Sequence, residues 1–198
     1  MVNPYLLIST LLLFSQPANS GSIDDWFLKV EGQSPQIGTL AMAFINANQS
    51  YYLPHGEDNK ISKDQLETMK RKFRKQVSQS DKKKIYNNVM FYLNCQKSLM
   101  KDVDKISFSL RNTSSLSEIF FNSDTKRCMN LLPKVPGFHP AVGTEYNKMV
   151  TGFLRMKNSE TKFSAKDKKL MISFAESQVT ATRVAFKKID KEIKDWFR

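Results

Sequence analysis

Cys95, Cys128, His55 and His139 are the chain's whole stock of thiols and imidazoles. These are the groups that most often carry nucleophilic or acid–base chemistry near neutral pH. A thiolate nucleophile needs a base within hydrogen-bond reach. His55 stands between Pro54 and Gly56, and His139 between Phe138 and Pro140. Both are therefore expected as turn or surface residues rather than as bases. No GxSxG, HExxH, CxxC, Walker-type loop or GxGxxG occurs. The adjacent acids Asp24 and Asp25 follow Ser22 at capping-box spacing, so a helix start accounts for them. No group of side chains has metal-ligand spacing. No enzyme, metal or cofactor is expected, and no catalytic residue is nominated. A hydrolase assembled from distant carboxylates is the least supported class.

The cysteines have a different use. An even pair in an exported chain predicts a Cys95–Cys128 disulfide, with Cα atoms within about 4.4–6.8 Å. Closing that loop stabilises by roughly 3–4 kcal/mol in the chain-entropy model.

The strongest departure from the chain's average is charge. Residues 70–84, KRKFRKQVSQSDKKK, hold eight bases and one acid, a net +7 of the chain's +12. Lys70, Arg71, Lys72, Arg74 and Lys75 come before a turn, and Lys82, Lys83 and Lys84 after it. The three lysines open a helix, where cations oppose the macrodipole at about 0.3–1 kcal/mol each. A local rule broken three times in a row marks a candidate functional site. Sulfated glycan, acidic lipid headgroups or a protein receptor would fit such a patch. Nucleic acid is disfavoured because the chain is expected to be exported. The lysines of the last helix, Lys187, Lys188, Lys191 and Lys194, serve as the contrast for overall charge.

Those residues need a scaffold. Residues 1–20 read as a signal peptide: an apolar run of roughly ten residues, too short for the ~20 of a membrane span, precedes Ala18-Asn19-Ser20. A secreted, extracellular protein follows, with no transmembrane segment in the mature chain and residues 21–198 forming one domain. Two sequons, at Asn48 and Asn112, are candidate N-glycosylation sites. Gly and Pro number only seven each, against an all-β fold.

The periodicity is helical. Ser62 and Gln65 have capping-box spacing, and Leu66, Met69, Phe73 and Val77 form the inner face that follows. Ser80 or Asp81 opens the next helix. There Ile85, Val89, Tyr92, Gln96, Leu99, Val103 and Ile106 keep heptad spacing. Residues 116–132 predict a fifth helix with Ile119, Phe120 and Met129 inside, and 133–143 a linker. A further helical segment covers 144–157. Ser164 then caps a last long helix with Ile172, Ala175, Val179, Thr182, Phe186, Ile189, Ile193 and Trp196 inward. The fold class expected is all-α: a bundle of about five to six helices with two long heptad-patterned ones, 81–106 and 164–197. The function expected is binding through the basic surface. The alternative is a helical carrier of lipid or another apolar ligand, suggested by 14 Phe and 9 Met.

Overall fold

A computed structural model describes residues 23–52, 61–112, 121–158 and 164–197. The signal-peptide stretch 1–20, His55, Ile119 and Phe120 lie outside the described residues. The described chain is all α-helical, with no strand among those residues. Its helices are α1 (Ile23–Val30), α2 (Pro35–Tyr52), α3 (Lys63–Gln76), α4 (Gln79–Asn112), α5 (Ser123–Leu131), α6 (Pro140–Asn158) and α7 (Ala165–Trp196), with a 3-10 turn at Leu132–Lys134. Seven described α-helices exceed the five to six expected. The short α1 and α5, of 8 and 9 residues, would be marginal alone and pack on α4.

Helix α4 is the axis of the molecule. Its 34 residues span about 51 Å at 1.5 Å per residue, and it touches α1, α2, α5 and α7. Every member of the heptad stripe from Ile85 to Ile106 is buried. So are Met90, Phe91, Leu93, Met100 and Leu110 outside that stripe. A helix apolar on most sides is enclosed rather than facing one partner, so α4 is a central pin and not one member of a two-helix seam. Helix α7 runs antiparallel along it. Arg183 meets Asp104, Arg111 meets Glu176, and the Tyr86 and Phe197 rings lie 5.7 Å apart at the other end.

Side-chain caps fix where the helices begin. The Ser62–Gln65 capping box forms as expected, at 3.2 and 2.6 Å. Ser164 Oγ accepts from the Asp167 amide at 3.1 Å. Helix α4 begins earlier than expected, because Ser78 accepts the Asp81 amide at 3.1 Å and draws Gln79 and Ser80 into the first turn. Helix α5 begins later, at Ser123, where the Asn122 side chain accepts the Asp124 amide. The Asn122 amide in turn donates to both oxygens of the fully buried Asp102 carboxylate, each at 3.1 Å.

The expected linker at 133–143 is tightly packed instead. Leu132, Val135 and Phe138 are buried, and α6 already begins at Pro140. Backbone meets backbone here: a Cβ on Gly38 would lie 1.8 Å from the Pro136 carbonyl oxygen, and one on Gly137 1.8 Å from that of Pro35. Gly137 also has φ +77°, in the left-handed region. The Cys95–Cys128 disulfide ties α4 to α5 as expected, with Cα atoms 5.6 Å apart. Both cysteines are fully buried.

Candidate polyanion-binding surface

The eight bases of residues 70–84 lie on the last two turns of α3, the break at Val77–Ser78 and the first turn of α4. They do not share one fate. Arg71, Lys72, Arg74, Lys75, Lys83 and Lys84 are exposed, whereas Lys70 and Lys82 are buried, at 4% and 6% of their free areas. Lys70 and Lys82, nominated as partner-binding with the other six, are therefore not part of the exposed patch.

Lys70 is buried because α3 is turned relative to the expected inner face. Leu66, Lys70 and Phe73 point inward, and Met69 is 36% exposed at the edge. Across from Lys70 stands α7. The Lys70 ammonium sits between Glu67, at 2.7 Å, and Glu192, which it contacts closely. Tyr52 of α2 donates to the other Glu192 oxygen at 2.7 Å. Burial works to lower the Lys70 pKa, but the hydrogen bonds and attraction of Glu192 and Glu67 outweigh it and hold the ammonium above the usual lysine range. Tyr52 is pushed well above the usual phenol range, first by burial and then by its hydrogen bond to Glu192. Lys70 is thus the bolt between α3 and α7.

Arg74 acts nearby. Its Nε and Nη2 both donate to the Asp195 carbonyl in the last turn of α7, the Nε bond at 2.8 Å. A cation at that carbonyl end complements the helix macrodipole. Below it, Phe73 packs on Trp196 and Phe197, with ring centroids 5.3 and 5.2 Å apart, while Phe44 and Tyr86 also reach Phe197. Phe73 is accordingly core and not a stacking platform.

The exposed charge that remains is Arg71, Lys72 and Lys75 on α3, with Lys83 and Lys84 across the turn. Arg71 makes one neutral contact, to the Thr68 hydroxyl at 3.2 Å. Lys84 reaches Asp81, the one acid of the segment, at 3.4 Å with both side chains well exposed. Such exposed pairs contribute under about 1 kcal/mol and yield easily to a competing anion. No family model, curated protein or solved structure matches this chain. The surface has to be read from its own chemistry.

The other nominated residues fall as follows. The disulfide consumes both thiols. His139 is exposed, and its Nδ1 accepts the Ala141 amide at 3.2 Å, so it caps α6. Asp24 pairs with Arg127 at 2.9 Å, joining α1 to α5. Asn112 is exposed on the last residue of α4. Asn48 is 0% exposed and donates to the Phe44 carbonyl at 2.9 Å, so a glycan there has no room in this packing. The hollows between α4 and α7 are open grooves, the larger about 940 Å³ and lined by Phe108, Arg111, Glu176 and Arg183 among others.

Sequence reasoning missed Glu192, Asp195 and Tyr52, which decide the fate of Lys70 and Arg74. They lie more than a hundred positions along the chain or on another helix, and no local pattern marks them.

Proposed function

We propose that this chain is a secreted, non-enzymatic helical-bundle binding protein that engages a polyanionic partner through the basic surface around residues 70–84. The observation that carries the reading is the exposure of Arg71, Lys72, Lys75, Lys83 and Lys84 about one turn, against the single acid Asp81. Cations without strong internal partners keep their charge available, and each anion they neutralise releases a counterion. The rigid base formed by Lys70, Arg74 and the Phe73–Trp196–Phe197 contacts supports this, since it fixes the strip without consuming it. A buried disulfide supports the exported compartment, because such bonds persist in oxidising surroundings.

The test is heparin affinity after replacing Arg71, Lys72, Lys75, Lys83 and Lys84 with Gln, leaving Lys70, Arg74 and Lys82 in place. Affinity is expected to fall by more than tenfold with the helical circular dichroism unchanged. A loss no greater than that from Lys101, Lys126, Lys134, Lys166 and Lys169→Gln, exposed bases placed elsewhere, would reduce the attraction to overall charge and refute the reading.

A further inference from the structure

The lysines of α7 that the sequence places far from the basic turn are brought next to it by the fold. Helix α3 docks on the last turns of α7, where Glu192 takes Lys70 and the Asp195 carbonyl takes Arg74. One residue before Glu192, a step of about 100° around the helix, stands Lys191. It is exposed, as are Lys187 and Lys194 one turn to either side. Lys188, also exposed, lies with its ammonium 5.8 Å from the Tyr52 ring centre. On α3, Arg71 follows Lys70 by one residue, a step of about 100° around the helix, and lies one turn before Lys75; both are exposed. The acids at this junction are engaged or partly covered: Glu67 and Glu192 hold Lys70, and Asp190 and Asp195 are half-buried.

We infer that the binding surface extends from the basic turn onto α7 as a two-helix face, joining Arg71 and Lys75 on α3 to Lys187, Lys191 and Lys194 on α7, and that it takes a linear sulfated polysaccharide laid across both helices. The inference rests on the proposed polyanion reading and gives it a boundary and a ligand class. The α3 part extends about 6 Å and the α7 part about 10 Å along their axes, with helix axes about 8–10 Å apart. A chain bearing sulfates along its length meets cations in two rows. A membrane surface fits less well. Peripheral binding to lipid adds an apolar face sunk among the headgroups, and the large exposed apolar side chains among the described residues are Leu28, Met69, Phe108, Leu170 and Val184. None of these falls within 71–75 or 187–194.

The experiment compares three variants of the full mature chain against heparin oligosaccharides and against vesicles containing phosphatidylserine, over a range of salt. The first carries Arg71 and Lys75→Gln; the second Lys187, Lys191 and Lys194→Gln; the third, as control, Lys101, Lys126 and Lys166→Gln. Circular dichroism checks each fold. By analogy with phosphate contacts on DNA, each engaged lysine contributes about one to the slope of log affinity against log salt. The first two variants should each weaken heparin binding at least tenfold and lower the slope by about two to three, with the control near wild type. An effect of the first variant alone would overturn the two-helix face and leave the basic-turn reading standing. If neither exceeds the control, both fall. Vesicle binding that is tighter than heparin binding and lost in the same variants would overturn the sulfated-glycan assignment.

Discussion

Replacing Lys70 with Met separates scaffold from binding surface. Methionine keeps most of the apolar stem volume but removes the ammonium, leaving Glu192 facing α3 with 13% of its side chain exposed. Breaking a buried ion pair from one side costs about 3–5 kcal/mol. Glu192 retains the Tyr52 hydroxyl, and the second partner Glu67 is 47% exposed and rehydrates. The cost is therefore expected at the low end or just under it, about 2–3 kcal/mol. For a domain of this size that lowers the melting temperature by about 4–12 °C. Adding Glu192→Gln removes the stranded charge while keeping an acceptor for Tyr52, so the double variant should regain at least half of the loss. Urea unfolding followed by circular dichroism gives all corners of the cycle, and heparin affinity is measured on the same samples. Affinity should change less than twofold. A Lys70→Met variant within about 0.5 kcal/mol of wild type, the range of ordinary surface changes, would refute the pairing. So would strict additivity with Glu192→Gln.

Three further outcomes are expected. Cys95→Ser should cost about 3.7 kcal/mol by loop-closure entropy across the 33-residue separation, and mild reductant should leave the native bond intact until the chain unfolds, since both sulfurs are buried; rapid reduction without loss of structure would contradict this. Gly38→Ala should destabilise by about 2–3 kcal/mol, because its Cβ meets the Pro136 carbonyl, and a neutral effect in urea unfolding would mean the two backbones are not in contact. Burial raises the phenol pKa of Tyr52, Tyr86, Tyr92 and Tyr146, and the carboxylates raise that of Lys70. A raised folded value favours the protonated form, so this stability is intact below about pH 10 and lost as the pH climbs beyond it. Phenolate absorbance should rise together with unfolding, and smooth titration of every tyrosine in a folded chain would contradict the burial.

Much of the scaffold was legible because it is written locally. Ser62 with Gln65 and Ser164 with Asp167 are caps in which a serine and a residue three places on satisfy each other, and both formed where expected. The stripe from Ile85 to Ile106 signalled a long helix with a buried face. What it did not signal was that α4 is buried on most of its circumference, since a single stripe does not count how many neighbours a helix has. Lys70 was misplaced for a related reason. Its charge predicts solvent, and only a carboxylate from α7, far along the chain, makes the interior tolerable. The segment 133–143 looked like a linker because Pro and Gly interrupt it. The same residues allow backbone to pack against backbone, which needs small or kinked residues as much as a loose turn does. The candidate surface was legible as a density of charge, but which charges are free depends on long-range pairs.

The most direct measurement is the heparin affinity of residues 21–198 as a function of salt. Five exposed cations engaged with sulfates predict a slope of log affinity against log salt of about −4 or steeper, by analogy with duplex DNA. Between about 50 and 300 mM NaCl the affinity should then fall by roughly a thousandfold. A slope shallower than about −1, or no binding at the lower salt concentration, would contradict the claim that the basic surface around residues 70–84 is a polyanion site.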